Sequence, residues 1–266
     1  QTTSGIVISS PGKTGRLAAA SVAELKLGLD AMSSGDIVGA RAIRDSLPPD
    51  ALDRHILTWA IALRGGKMVP SSDIATAAQV LPGWPGMDAL RRNSERALLR
   101  ENPAPAAVIR AFKGTPPQTA DGAIILARAH IALGDEKAAR QALAPIWRNQ
   151  KLDSADEIAI IKEFGTVIPA ADHRQRMERM LYADRVASAQ RVAKLAGAEA
   201  LFTAWAAVAR NDGTATGKLD AVPLAQRATG YSFARAKDLR RAQRYREAAE
   251  IMIKAPTNRA DLVDAD

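Results

Sequence analysis

The chain has 266 residues, 47% of them hydrophobic and 25% charged, with a net charge of +8 and no cysteine. The missing cysteine excludes disulfides, thiolate metal sites and a cysteine nucleophile within these residues. No apolar run reaches the roughly 18 residues of a membrane span, and aromatics at 4% are too sparse to interleave with the basic residues as a base-stacking surface would, which argues against nucleic acid as a partner.

Ala and Leu with Arg, Lys and Glu dominate the composition and favour helix, so the expected class is all-α. The chain begins at Gln1, not Met, as a processed exported protein or a trimmed chain does. Residues 1–15 read as a flexible terminal segment, and residues 16–266 as one continuous domain. The best strand candidate, GIVISS (5–10), falls in that segment, as does the start of GKTGR (12–16), which lacks the upstream glycine and strand of a phosphate-binding loop.

A phrase then recurs: a turn residue with Ala five places on. It appears as GDIVGAR from Gly35, SDIATAA from Ser72, ENPAPAA from Glu101, GDEKAAR from Gly134 and RYREAAE from Arg244, at intervals of 37, 29, 33 and 110. Ala40, Ala77, Ala106, Ala139 and Ala249 fill the shared slot. Periods in the low thirties are those of helical-hairpin repeats, where a small residue lets two helices pack closely. Between the copies, LDRHILTWAIALRGG (52–66) puts Ile56, Trp59 or Ala60, and Leu63 on one stripe. TADGAIILARAHIAL (119–133) does the same with Ile124, Ala127 and Ile131. Pro and Gly clusters separate the helices, and Asp50, Asp135, Ser154, Asp184 and Ser232 stand where N-caps would. The expected architecture is a right-handed α-superhelix, a solenoid of TPR-like hairpins forming an open arc.

No catalytic constellation stands out. His55, His130 and His173 lack the spacing of a metal site or a triad, so no metal and no cofactor are expected. A glycosidase would need two acids across a sugar, but Asp156, Glu157, Glu163, Glu178 and Glu199 sit among Arg and Lys, the usual setting of exposed ion pairs. The basic excess concentrates late. From Arg227 to Lys254, eight Lys or Arg face three acids, a surplus of +5 that suits an anionic partner or a solvated helix face.

Three segments, LPGWPGMDALRRNSERAL (81–98), DHRQRMERMLYADRVASAQRVAKLAG (172–197) and ARAKDLRRAQRYREAAEIMIKAPTNRADLVDAD (234–266), resemble the N-terminal superhelical domain of the soluble lytic murein transglycosylases of Gram-negative bacteria. The first resembles the family's Trp-Pro-Gly turn into a Leu-Arg-Arg helix. The second resembles its Asp-His, Arg-Met and Leu-aromatic run before a basic Ala-rich helix. The resemblance covers most of residues 38–266. It implies a periplasmic protein of murein turnover, whose family cleaves the bond between N-acetylmuramic acid and N-acetylglucosamine without water to give a 1,6-anhydro product. It also implies that the single catalytic Glu belongs to a separate lysozyme-like domain. That domain's signatures, a Glu-Ser pair at a helix end, a Gly-Leu-Met-Gln turn and an Asn-Ile strand, have no match here; Ser94-Glu95 is reversed and mid-helix.

The chain is therefore expected to be inactive alone, with peptidoglycan, the catalytic domain of the same parent chain and other cell-wall proteins as partners. It ends near where the family enters the rest of its superhelix. If the arc curls as the family's does, Arg174, Arg185, Lys237, Arg241 and Arg244 line a concave face that holds glycan or its peptides. The rival expectation makes these cations a solvated face with local pairs such as Arg174 with Glu178. The alternative function is a free-standing helical-repeat adaptor binding a protein partner.

Overall fold

A computed structural model describes the backbone of residues 14–255, with side chains from residue 22. Most of the terminal segment expected over 1–15, including GIVISS, lies outside the described residues, as does the end of the third resembling segment. Among the described residues there are fifteen α-helices, one 3-10 turn and no strand, so the all-α class holds. The chain divides into two compact units, Gln1–Pro103 and Ala104–Asp266.

The first unit contains α1 (Thr14–Ser34), α2 (Ile37–Ser46), α3 (Leu52–Arg64), α4 (Ser71–Val80) and α5 (Met87–Glu101). Each helix packs on the next, and α3 also packs on α1 and α5. Helix α3 therefore buries Leu57, Thr58, Ile61 and Ala62. The stripe expected from sequence, Ile56, Trp59, Ala60 and Leu63, is only half-buried, because contact with four helices shifts the covered arc by one position.

The second unit runs α6 (Pro105–Phe112), α7 (Ala120–Ala132), α8 (Glu136–Asn149), α9 (Ser154–Phe164), α10 (Ala170–Tyr182), α11 (Val186–Ala193), α12 (Glu199–Ala209), α13 (Ala215–Asp220), the 3-10 turn Leu224–Gln226, α14 (Thr229–Arg241) and α15 (Tyr245–Ile253). Helix α7 is buried almost all round, Ile124 and Ala127 included, while Ile131 at its end is exposed. Helix α10 packs on α8, α11 and α12, which puts it at the centre of this unit.

Among the described residues, six helix pairs share one joint, α11–α12 and α12–α13 at Gly197 and Asn211 included, and in the other four a buried Ala follows five residues on. Gly35, Gly134, Asp184 and Gln243 take a left-handed backbone, with φ of 88°, 79°, 53° and 60°. The next residue's N–H then reaches back over the preceding helix end: Asp36 to Ala31 O (2.8 Å), Asp135 to His130 O (2.9 Å), Arg185 to Met180 O (2.8 Å) and Arg244 to Leu239 O (2.9 Å). This satisfies carbonyls that the helix leaves unpaired and reverses the chain. Asp36 and Asp135 also cap the second helix, accepting from the N–H groups of Gly39 (2.8 Å) and Ala138 (2.9 Å).

Counting five from the left-handed residue gives Ala40, Ala139, Ala189 and Ala248, all 3% exposed or less. Two slot assignments made from sequence are thus corrected. Ala249 is exposed because the turn residue is Gln243, not Arg244, and Ala106 is exposed because α6 opens on Pro105 and turns Val108 inward instead. Ser72 lies inside α4 and marks no joint, although Ala77 is buried.

Candidate functional site

The five cations expected to hold glycan each find a local partner. Arg174 on α10 pairs with Glu178 and donates Nη2 to the Gln226 carbonyl at 2.9 Å, leaving its side chain 22% exposed. Arg185, at the α10–α11 joint, donates Nη2 to Leu152 O at 2.5 Å. Lys237 on α14 lies 3.8 Å from Asp184, which links α14 to that joint. Arg241 donates to the Val208 carbonyl, and Arg244 grips Glu247 through Nε (2.7 Å) and Nη2 (2.5 Å). Arg241 and Arg244 remain exposed. Arg174 and Arg185 spend their donors on holding helices, not on solvent.

Beneath them lies a polar network that the sequence presents as ordinary surface charge. Arg176 is fully buried, and its Nη1 donates to the carbonyls of Trp147 (2.6 Å) and Gln150 (3.1 Å) at the end of α8. Its Nη2 donates to Glu157 Oε1 at 2.5 Å, and Arg191 of α11 takes the other oxygen at 2.5 Å. Glu157 is 1% exposed, so one carboxylate ties α9, α10 and α11 together. Both its oxygens are committed to guanidinium donors, which is not the arrangement of a carboxyl that must deliver a proton to a sugar. Glu178, 4% exposed, is likewise engaged by Arg174. Glu157 and Glu178 are thus buried structural acids, correcting the expectation of exposed pairs.

His173 is 1% exposed. The indole N–H of Trp147 donates to its Nδ1 at 3.2 Å, and because an indole N–H can only donate, Nε2 carries the proton and donates to the Gly165 carbonyl at 2.9 Å. Burial pushes the imidazole's pKa below its ordinary value, against the bond to Gly165, and burial likewise pulls the Arg176 guanidinium down. Next to His173, Asp172 accepts from Arg148 at 2.5 Å. No group of three or more His, Asp or Glu is placed to hold a metal among the described residues, and no helix there is long and apolar enough to cross a membrane.

Two clefts open among the described residues of these units. In the second unit, about 290 Å³ opens between α6, α7 and α8 over Phe112, Leu126 and Ala142, with His130 and Gln141 at its rim. In the first unit, a more polar cleft of about 320 Å³ is lined by Arg44, Asp45, Arg54, His55, Asp73 and Thr76. Arg44 grips Asp45 through Nε (2.9 Å) and Nη2 (3.0 Å), and this bond holds the Asp45 carboxyl below the usual carboxylate range. Sequence reasoning missed this cleft because its charges come from three helices at separations near thirty residues.

No family model, no curated protein and no solved structure matches this chain.

Proposed function

We propose that the chain is a non-catalytic superhelical scaffold from a periplasmic soluble lytic transglycosylase of murein turnover, serving to hold the glycan or position the catalytic domain. The observation that carries this reading is what the resembling residues do. The Asp-His, Arg-Met and Leu-aromatic positions of the second segment are Asp172, His173, Arg176, Met177, Leu181 and Tyr182; the first three lock α10 to α8 and α9, and Met177 and Leu181 are buried core. A motif spent on joining helices fits a scaffold, and the repeated joint fits a solenoid of hairpins curling into a right-handed arc. The exposed cations Arg241 and Arg244, with the half-buried Lys237, would face the anionic wall, where attraction is screened beyond about 8 Å at physiological salt.

Pull-down on purified sacculi tests this reading. Weak retention that falls with salt, and falls again in a Lys237→Ala, Arg241→Ala, Arg244→Ala variant, is expected. Equal retention of variant and parent at low salt sinks the glycan-holding role. The chain is also expected to release no anhydromuropeptides from sacculi; release that one Glu substitution abolishes would overturn the non-catalytic reading.

The adaptor reading draws on α15, where Tyr245, Met252 and Ile253 are 63%, 52% and 81% exposed. Apolar side chains so placed on one helix suit a protein partner. A free adaptor would bind that partner and leave sacculi unretained at any salt.

A further inference from the structure

The polar cleft between α2, α3 and α4 holds an imbalance. Three guanidiniums meet there and share two carboxylates. Asp73 Oδ2 accepts from Arg41 Nε at 2.7 Å and from Arg44 Nη1 at 2.9 Å, and Asp45 is gripped by the rest of the Arg44 fork. Arg54 is the one left short. Its Nη1 donates to the carbonyls of Asp45 (3.2 Å) and Leu47 (2.7 Å), while Nη2 stands 3.7 Å from Asp45 Oδ1, too far for a hydrogen bond. The Nε–Nη2 edge, which is the edge that grips a carboxylate with two parallel bonds, thus has no hydrogen-bond partner among the described residues.

The surroundings of that edge are those of a small anion site. His55 lines the same cleft, and its ring makes no hydrogen bond among the described residues; Thr76 of α4 lines it too. At about 320 Å³ the cleft matches the small end of ligand pockets. The charge count selects the ligand: the surplus is one positive charge, and Asp45 and Asp73 repel anything carrying more than one negative charge. A planar monoanion satisfies the fork and the count together, whereas a phosphate dianion fits the fork but exceeds the count.

We propose that this cleft binds a carboxylate, taken bidentately by Arg54, with His55 or Thr76 donating a further hydrogen bond. The site stands on these residues alone and is independent of the wall-scaffold reading. A carboxylate reaches such a site on an acidic peptide or on an acidic sugar.

The whole chain, labelled with ¹⁵N, is titrated at low salt with acetyl-Ala-Glu-amide and with methyl glucuronide, while acetyl-Ala-Gln-amide and sulfate serve as controls. Saturable shifts of the Arg54 Nε–H signal are expected with a carboxylate and not with the neutral amide. Saturation by the peptide alone, by the uronate alone or by both identifies the source. Arg54→Lys, which keeps the charge and loses the fork, is expected to weaken binding about tenfold. Because Arg54 also ties two carbonyls of the α2–α3 connection, the second variant is the double His55→Phe, Thr76→Val; it removes both candidate donors, breaks no side-chain hydrogen bond among the described residues, and is expected to weaken binding as well. No saturation with either carboxylate, equal affinity for sulfate, or binding unchanged in both variants overturns the proposal.

Discussion

Arg176 holds its guanidinium 4.4 Å from the centre of the Trp147 ring while donating to the Trp147 main-chain carbonyl at 2.6 Å. The same tryptophan packs edge-on against His173, with ring centres 5.5 Å apart at 90°. One side chain therefore meets two successive turns of α10, and α8 is fixed against α10 by a cation over a ring, an indole hydrogen bond and a carbonyl contact at once. In a low-dielectric setting such contacts favour one arrangement, although Arg176 Nε itself has no hydrogen-bond partner among the described residues.

Glu157 is the member on which Arg176 depends most. Replacing it with Leu leaves a fully buried guanidinium with only carbonyl partners, a loss of about 3–5 kcal/mol. Arg191, whose side chain is 30% exposed, turns to solvent at little cost. Adding Arg176→Met to Glu157→Leu is expected to restore most of the stability, since an apolar pair of similar volume can equal a buried ion pair. Urea unfolding of both singles and the double gives the coupling. A single-variant loss under about 1 kcal/mol would mean that water reaches Arg176.

His173 gives the fold an acid sensitivity. Its folded pKa lies below the unfolded one, so between the two the unfolded chain binds the extra proton and the fold does not. Stability from this group is complete above the ordinary histidine value near 6.5 and is lost as pH falls from there toward the depressed folded value. A urea midpoint that drops as pH falls below about 6.5 is expected, with a shallower drop in His173→Gln. A midpoint that rises on acidification, or a slope unchanged by the substitution, removes His173 as the cause.

The helical class was readable from composition alone, and the joints at Gly35 and Gly134 were readable because glycine marks the left-handed turn and Ala follows five places on; the Gly197 joint was missed because Phe202 fills that place. They were misread or missed where Asp184, Asn211 and Gln243 adopt that backbone without glycine, since Asp and Asn mark a positive φ only weakly and Gln does not mark it at all. Caps failed for a related reason: Asp135 caps as expected, but Asp184 is a turn residue, Ser154 is already helical and Ser232 is inside α14. The basic residues were misplaced more seriously. Helical periodicity puts Arg174 on the Met177–Leu181 stripe, three and seven residues before them, and Arg176 off it, yet α10 is packed on three helices and has no broad outer face. Arg176 is therefore buried, and what it meets there, Glu157 and Trp147, is nineteen and twenty-nine residues away.

The corrected register of the joint can be checked at adjacent positions. Ala139 and Ala248 are buried against the preceding helix, and enlarging either to Leu overpacks the crossing by about 1–3 kcal/mol. Ala249 faces solvent, and Ala249→Leu is expected to stay within about 0.5 kcal/mol of the parent. Urea titration of Ala248→Leu beside Ala249→Leu is the comparison that matters. If Ala249→Leu is the more harmful, the joint begins at Arg244 after all.

Gly230 tests the packing on which Arg174 rests. It sits in the first turn of α14 without a positive φ, so any residue fits its backbone, and alanine should gain up to about 1 kcal/mol of helix propensity. The space forbids it. A Cβ there would lie 2.5 Å from Cζ3 of Trp205 and 2.8 Å from Cδ of Glu178. Neither neighbour can retreat easily. Trp205 is 1% exposed and wedged against Tyr182 and Phe233, with ring centres at 4.8 and 5.7 Å, and Glu178 is held by Arg174. The first turn of α14 must therefore lift away from α10 and α12, and overpacking of this kind costs about 1–3 kcal/mol, more than the propensity gain. Gly230→Ala is expected to lower the urea midpoint and to alter the near-ultraviolet circular dichroism of the Trp205 cluster. A variant that is more stable than the parent, with unchanged aromatic dichroism, would show that α14 does not approach Trp205 and Glu178 this closely.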